Sequence, residues 1–226
     1  MATSPTVHIT CSDQHRNGKT LLARLLVDFL MLDGRDPFII DTDVPEGPLR
    51  AYFPGRTTIA DFAAIKGQMK LFDTILAAPG RDYVIDLPAR HTGNFFATAR
   101  DLDFFAECQK AGFRVFLFFV VDASFASLKA ARAMSEEKGV DLFVPVRNMF
   151  VRSHWPEDEA AFTLPFLAAP IATAIANRRF SLRDFVNGDP QGLAADMVPL
   201  LQAFLYEVLT SLGNLETSLS MKALRR

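Results

Sequence analysis

The sequence has few cysteines, and their spacing excludes several classes of protein. Cys11 and Cys108 are the two cysteines of the chain, and they lie far apart and in no Cys-x-x-Cys pattern. A disulfide framework or a thiolate metal site is therefore not expected, and a reducing compartment, the cytoplasm, is predicted. The first residues also lack a basic region followed by an apolar run, so we expect no secretory signal.

Long hydrophobic runs and a strong excess of positive charge are also missing. The longest uncharged stretch, Ala160–Asn177, has the length of a membrane span but contains Pro165 and Pro170. We interpret it as a buried strand, a turn and a helix, so a membrane span is not expected. The formal net charge of −2 does not indicate a strongly basic protein that binds nucleic acid.

The length and the apolar content predict one compact folded domain. The chain has 226 residues, of which 50% are hydrophobic and 22% are charged, so it can bury a sizeable core without disulfides or metals. We assign residues 1–226 to a single domain, with a core over about 6–150 and a helical cover over about 151–226.

Short β-rich runs alternate with longer segments that have helical character. The predicted strands are Thr6–Cys11, Pro37–Ile40, Tyr83–Ile85, Phe113–Val121, Leu142–Val146 and Ala160–Leu167. The predicted helices are Lys19–Leu32, Ile59–Leu76, Phe95–Ala111, Ser124–Lys138, Ala169–Asn177, Ser181–Val186 and Leu193–Leu212. This alternation predicts an α/β fold with a mostly parallel central sheet covered by helices on both faces.

Phenylalanine is abundant where the other aromatic residues are scarce. The chain has 21 Phe against 3 Tyr and 1 Trp, and a side chain without a polar group predicts core or an apolar contact surface. Six of these residues lie on predicted helices: Phe62, Phe72, Phe95, Phe96, Phe104 and Phe105. We expect some of them to cover the sheet, whereas exposure on one face would mark a partner or dimer surface.

A loop that ends in Gly18-Lys19-Thr20 connects the first strand to the first helix. Strand, loop, Gly-Lys-Thr and helix is the context of a phosphate-binding loop, in which backbone N–H groups and the lysine contact phosphate and the threonine contacts Mg²⁺. Asp13 stands where the full pattern has a glycine, so a chance tripeptide is the alternative. The predicted nucleotide-binding residues of this loop are Asp13, Gln14, His15, Arg16, Asn17, Gly18, Lys19 and Thr20.

Acidic residues end two further predicted strands. Phe38–Asp43 ends in Asp41 and Asp43, and Asp82–Pro88 contains Asp86 at the end of its apolar run. Because ligands of open α/β sheets bind beyond the carboxyl ends of the strands, we expect these aspartates in the same crevice as the Gly-Lys-Thr loop. Turn capping is the alternative interpretation for each of them.

The order of these motifs resembles the ParA/MinD group of P-loop ATPases. The resemblance extends from about Val7 to Asn148 and includes Val120–Leu128 and Val144–Asn148. It implies a three-layer P-loop NTPase fold that binds ATP or ADP with Mg²⁺ and forms a nucleotide-dependent homodimer. It also implies a switch that positions or regulates cargo or an as yet unidentified protein partner.

The resemblance also implies roles for individual residues. Lys19 would act on the phosphates, and Thr20 and Asp86 would hold Mg²⁺. Asp41 would lie near Mg²⁺ and the attacking water, both as a catalytic residue and as a metal ligand. Asn148 matches the asparagine that the family places beside the adenine.

The phosphate loop departs from the family at its beginning. The family has a signature lysine followed by two glycines, where this chain has Gln14, His15 and Arg16. We hypothesise that Arg16 is catalytic and takes over the charge role of that lysine across the dimer. The alternative is that Arg16 is a solvated loop residue and that hydrolysis is slow or absent.

Several weaker candidates follow from position in the chain. Arg90-His91 and Pro45–Tyr52 lie where the family has its two switch segments, and His91 is a candidate phosphate contact. Arg178, Arg179 and Arg183 are a candidate for non-specific DNA binding, although a solvated helix face explains them better. The tail Leu215–Arg226 has a thin apolar face, so membrane binding is not expected.

Two functions compete with an ATP-hydrolysing switch. One is a nucleotide-binding interaction module without useful hydrolysis, which the absence of the signature lysine favours. The other is a ligase similar to dethiobiotin synthetase, a family that also lacks that lysine but does not share the Asp41–Asp43 pattern. A serine hydrolase is not supported, because the sequence has no Gly-x-Ser-x-Gly elbow.

Overall fold

A computed structural model describes residues 4–45, 47–177 and 180–223, without side-chain detail for 219–223. The strands are β1 (Thr6–Cys11), β2 (Phe38–Asp41), β3 (Thr57–Ile59), β4 (Tyr83–Asp86), β5 (Arg114–Val121), β6 (Leu142–Asn148) and β7 (Phe162–Leu164). The helices are α1 (Lys19–Leu32), α2 (Pro48–Tyr52), α3 (Ile65–Leu76), α4 (Ala89–Asp101), α5 (Phe104–Lys110), α6 (Phe125–Ser135), α7 (Ala169–Ile175), α8 (Leu182–Val186) and α9 (Val198–Ala223).

Within these ranges the strands form one sheet with the order β3-β2-β4-β1-β5-β6-β7. Every pair of neighbours is parallel, so the predicted parallel sheet is confirmed and extends to all seven strands. β1 and β4 lie at the centre, where all their residues are buried, as expected for strands covered on both faces. The carboxyl ends of β1, β2 and β4 therefore meet at one edge of the sheet.

Alternate residues of the long strand β5 pack into two different cores. Phe116, Phe118 and Val120 belong to the core beneath α1 and the C-terminal helices. Leu117, Phe119 and Val121 belong to the core beneath α3 to α6. This period of two gives the three-layer α/β arrangement that the sequence predicts.

The six phenylalanines of the predicted helices are all buried in the second core. Their rings pack on one another, with centroids 4.3 Å apart for Phe72 and Phe104 and 5.3 Å apart for Phe62 and Phe95. The prediction that they cover the sheet is confirmed, and they do not form an exposed partner surface.

The structure divides two of the predicted helices, and α6 ends at Ser135, three residues before the predicted helix Ser124–Lys138 does. The segment Ile59–Leu76 contains the end of β3 and then α3, because the β-branched run Thr57–Ile59 pairs with β2 as an edge strand. The segment Phe95–Ala111 is divided between α4 and α5, with Asp103 in the left-handed region at φ 48° between them. Helical periodicity alone does not reveal either feature, since both depend on what each segment packs against.

The part of the chain after residue 150 adds to the sheet as well as covering it. β7 is shorter than the predicted strand and pairs with the end of β6. α9 begins and ends later than the predicted helix Leu193–Leu212, and its side chains Leu201, Val208 and Leu212 enter the first core. In the described residues, no helix is both long enough and apolar enough to cross a membrane.

Candidate functional site

A cavity of about 500 Å³ opens at the sheet edge where β1, β2 and β4 end. Its lining residues are His15, Arg16, Lys19, Thr20, Asp43, Asp86, Pro88 and Ala89. The sequence-predicted residues of the loop and of β4 thus come together around one space. The cavity is also at the N-terminus of α1, where unpaired backbone N–H groups favour an anion.

Hydrogen bonds to β5 hold the loop between β1 and α1. The Ser12 hydroxyl donates to the Val120 carbonyl at 2.8 Å, and the Asn17 amide donates to the Ser12 oxygen at 2.5 Å. The Thr92 hydroxyl from α4 donates to the Ser12 carbonyl at 2.9 Å. The polar residues of the loop therefore fix its path, which glycines alone would leave free.

Gly18 caps α1 in a backbone conformation that other residues rarely adopt. Its φ is 99°, and a Cβ atom built at this position would lie 2.4 Å from Nδ2 of Asn148. That amide donates to the Asn17 carbonyl at 2.9 Å, and its oxygen accepts the Phe150 N–H at 3.0 Å. Asn148 thus braces the back of the loop, while its place beside an adenine stays a prediction.

Replacement of Gly18 by alanine is expected to lower the free energy of unfolding by about 1–2 kcal/mol, because of the positive φ and the collision with Asn148. Gly213→Ala is the matched control, since this glycine lies inside α9 with no atom near the added Cβ. We expect the control to leave stability unchanged or to raise it slightly. Urea unfolding measures both, and equal values for the two variants would contradict the geometry.

Lys19 is buried at the start of α1 and turned towards the loop. Its Nζ donates to Oδ1 of Asn17 at 3.1 Å and to the Gln14 carbonyl. Burial lowers the pKa of Lys19, and the nearby Asp86 carboxylate opposes this shift. Both of these hydrogen-bond acceptors are neutral oxygens, and a buried ammonium group in such surroundings favours an anionic ligand such as phosphate.

Asp86 accepts one hydroxyl on each carboxylate oxygen. Thr20 donates to Oδ2 at 2.7 Å, and Thr10 donates to Oδ1 at 3.1 Å. Burial raises the pKa of Asp86, whereas these two hydrogen bonds and Lys19 lower it. A hydroxyl and a carboxylate are the hard oxygen ligands that suit Mg²⁺.

The described residues contain no group of three or more His, Cys, Asp or Glu that could hold a metal ion by itself. This agrees with the chemistry of Mg²⁺ in phosphate-binding sites, where one or two protein oxygens act together with phosphate oxygens and waters. Thr20 and Asp86 fit that donor set.

The two aspartates at the end of β2 have different surroundings. Asp41 is fully buried, and its oxygens accept the backbone N–H groups of Asp43 at 2.9 Å and Leu49 at 2.8 Å. Burial raises the pKa of Asp41 to about 7. Asp43 lines the cavity, whereas Asp41 lies behind it and holds the segment that leads into α2.

The beginning of α4 is tied to the segment after β2. Arg90 forms an ion pair with Asp43 at 2.6 Å and donates to the Val44 carbonyl at 3.1 Å. His91 is buried beside the Phe62 ring, with centroids 6.4 Å apart, and does not line the cavity. Burial and Arg90 lower the pKa of His91.

Two of the three residues that depart from the ParA/MinD pattern, His15 and Arg16, line the cavity, and the third, Gln14, does not. Arg16 is exposed and has φ 56°, a left-handed conformation. Gln14 donates through its side-chain amide to Oδ2 of Asp13 at 3.1 Å. Hence Asp13 is held within the loop, and Arg16 is the exposed cation beside the cavity.

The weaker candidates lie elsewhere or outside the description. Arg183 is on α8 and pairs with Asp184 at 3.7 Å, while Arg178 and Arg179 lie outside the described residues. Leu215 packs against the first core. The side chains of the tail from 219 onward, Leu219, Lys222, Leu224, Arg225 and Arg226 among them, are also outside the description.

Comparison with known proteins shows the fold. No protein-family model matches the chain, and no curated protein matches it in sequence. A chain of the MinC:MinD cell division protein complex of Aquifex aeolicus is similar in structure, with a TM-score of 0.57 at 16% identity over 93% of this chain and 96% of that one.

The MinD cell division protein of Aquifex aeolicus is also similar, with a TM-score of 0.51 at 17% identity over 93% of this chain and 98% of that chain. The predicted ParA/MinD-like P-loop NTPase fold is therefore confirmed.

Proposed function

We propose that this protein binds ATP with Mg²⁺ and acts as a ParA/MinD-like switch. The observation that supports this most is one cavity at the N-terminus of α1 lined by Lys19, Thr20, Asp43 and Asp86. A cation and helix amides attract the phosphates, and oxygen ligands next to them suit the metal. The likeness in fold to MinD agrees with this proposal.

Each residue has a role in the proposed hydrolysis. Lys19 and the loop amides stabilise negative charge on the β- and γ-phosphates. Thr20 and Asp86 hold Mg²⁺, which when bound neutralises charge on the phosphate oxygens. Asn148 supports the loop from behind and borders the base.

Asp41 and Asp43, at the end of β2 and just after it, have different proposed roles. Asp43 faces the cavity and is the group within reach of a water near the γ-phosphate. Asp41, assigned from sequence to Mg²⁺ and the attacking water, acts through the two backbone N–H groups that it holds. It positions Asp43 and the first switch segment.

The switch rests on contacts between the two segments that border the cavity. The ion pair of Arg90 with Asp43 and the hydrogen bond of Arg90 to Val44 join the beginning of α4 to the loop after β2. A γ-phosphate near Asp43 competes for the same cation and shifts these segments. We propose further that the protein forms a nucleotide-dependent homodimer and binds a protein partner. A cytoplasmic location is also proposed, and the two free, buried cysteines agree with that location.

Sedimentation of the full chain with and without ATP–Mg²⁺ tests the switch. We expect the mass to double with ATP and to return to that of the monomer with ADP. A mass that ATP does not change, together with measurable ATP binding by calorimetry, would keep the nucleotide site and reject the switch.

Replacement of Arg16 by alanine tests the hypothesis that this arginine acts on the nucleotide bound by the other subunit of the dimer. We expect ATP turnover to fall about tenfold or more with little change in ATP affinity, because a finger residue acts on transition-state charge. Arg152→Ala, at an exposed arginine outside the cavity, is the control. Unchanged turnover in Arg16→Ala would leave this residue a solvated part of the loop.

A nucleotide-binding interaction module without useful hydrolysis is the second candidate. The observation that favours it is Gln14, a neutral residue that pairs with Asp13 where the family has its lysine. Tight ATP binding with dimerisation but negligible turnover in the parent protein would select this function.

A further inference from the structure

Another cavity, of about 240 Å³, lies between α1, the segment after α2 and the start of α8. Among the described residues it shares no lining residue with the nucleotide cavity. Asp28, in its wall, is nine residues beyond Lys19 on α1, a distance of about 13 Å along the helix axis. The two cavities are therefore separate sites on the same helix.

The wall of this cavity contains a buried carboxylate that is only partly satisfied. Asp28 is 4% exposed, and no described residue donates a hydrogen bond to its Oδ2 atom. The backbone N–H of Arg183 interacts with the carboxylate, but burial dominates and raises the pKa of Asp28 to about 7. An unpaired carboxylate oxygen in this position favours a ligand that brings a donor, preferably a charged one.

The nearest cation does not supply that donor. Arg24 is buried beside Asp28 on α1, and its guanidinium donates to the carbonyls of Ile175, at 2.5 Å, and Phe180. The same group lies over the Tyr52 ring, 4.1 Å from the centroid. Arg24 therefore stabilises Asp28 only through space, and the buried Oδ2 atom keeps no hydrogen-bond donor among the described residues.

The rim of the cavity has the opposite charge. Arg56 and Arg183 line it with side chains 50% and 41% exposed. Among the described residues Arg56 pairs with the carboxylate of Asp36, and Arg183 pairs with that of Asp184. A guanidinium group has five N–H donors, so both retain donors for an anionic group of a ligand.

A carboxylate inside and guanidinium groups at the rim match a small molecule that carries both charges. We propose that this cavity binds a free amino acid, with its ammonium group on Asp28 Oδ2 and its carboxylate on Arg56 and Arg183. The volume is enough for one small metabolite but below that of typical sites for drug-sized ligands. A bare cation would leave the rim unused, and a bare anion would leave Asp28 unpaired.

Calorimetry of the full chain without nucleotide tests the site, with each of the common amino acids at millimolar concentration as probes. At least one is expected to bind. Its amine and carboxylic acid analogues, each lacking one charged group, are expected to bind about tenfold more weakly or worse, because each loses a charge-assisted hydrogen bond. Absence of binding by every amino acid, or an analogue that binds as tightly as its parent, overturns the proposal.

Matched variants locate the binding. Asp28→Asn keeps the shape of the side chain and is expected to weaken binding about tenfold or more, whereas Asp73→Asn, at an exposed carboxylate of α3 outside this cavity, changes it little. If Asp28→Asn does not fold, Arg56→Gln at the exposed rim tests the site instead, because it removes a proposed partner of the ligand's carboxylate. Equal affinity in the parent and in the folded variant overturns the assignment. The two cavities share no described lining residue, so we expect these variants to bind ATP like the parent protein. A failure of amino acid binding can therefore be distinguished from a failure of the proposed nucleotide site.

Discussion

Replacement of Lys19 by alanine is expected to abolish nucleotide binding in the micromolar range. The variant removes a buried ammonium group that now contacts Asn17 and the Gln14 carbonyl and that lines the cavity at the N-terminus of α1. Loss of one partner of a buried charged contact costs about 2–5 kcal/mol, which corresponds to a decrease in ATP affinity of roughly 30-fold to several thousand-fold. Isothermal titration with ATP–Mg²⁺ measures this change.

The control is Lys70→Ala, at an exposed lysine of α3 outside the cavity. We expect it to bind ATP like the parent protein. Circular dichroism of Lys19→Ala is needed beside the titration, because the pKa of Asp86 rises further when the lysine is lost. A folded Lys19→Ala variant with the parent affinity would remove the basis of the proposed function.

Replacement of Phe95 by alanine is expected to lower the free energy of unfolding by about 3–5 kcal/mol. The Phe95 side chain is fully buried, and its ring lies 5.2 Å from Phe96, 5.3 Å from Phe62 and 5.5 Å from Phe72 between centroids. The change removes apolar contacts and leaves a cavity that packed neighbours fill only in part. Urea unfolding, with the slope checked for two-state behaviour, measures the difference.

Phe125→Ala is the matched control, because Phe125 is 80% exposed at the beginning of α6. Its ring lies beside that of His154, with centroids 5.0 Å apart. We expect a change within about 0.5 kcal/mol for this variant. If Phe95→Ala is too unstable to purify, Phe95→Leu is expected to fold with a smaller loss. A Phe95 variant as stable as the parent would mean that this aromatic cluster is not packed as described.

The strongest features of the fold were predictable because they depend on local sequence. β1 and α1 have the predicted bounds, and β5 differs from its prediction by one residue. Gly34 and Gly112 come two residues after the ends of α1 and α5 and have positive φ, which is typical of C-terminal caps, whereas Gly139 lies in the loop four residues beyond the end of α6. β3 and the interruption at Asp103 were missed, because a three-residue edge strand and a single left-handed residue leave little trace in periodicity.

The candidate site was predictable in its position but not in its internal contacts. Strand ends and the Gly-Lys-Thr loop indicate that Lys19, Thr20 and Asp86 meet, since parallel strands bring their carboxyl ends to one edge. The spacing of Asp41 and Asp43 puts both near that edge but does not distinguish them. The difference arises because the chain turns after β2, so that backbone N–H groups reach Asp41 while Asp43 faces the cavity.

By itself the sequence determined the alternation of strands and helices, the Gly-Lys-Thr loop between β1 and α1, and the edge of the sheet where a ligand site is expected. These features depend on residue type and spacing along the chain, which a single sequence contains. Tertiary structure alone decided that Asn148 braces Gly18, that one buried oxygen of Asp28 lacks a donor among the described residues, and that six phenylalanines distant in sequence pack in the second core. Those features depend on which distant segments pack together, and packing distance is independent of separation in sequence.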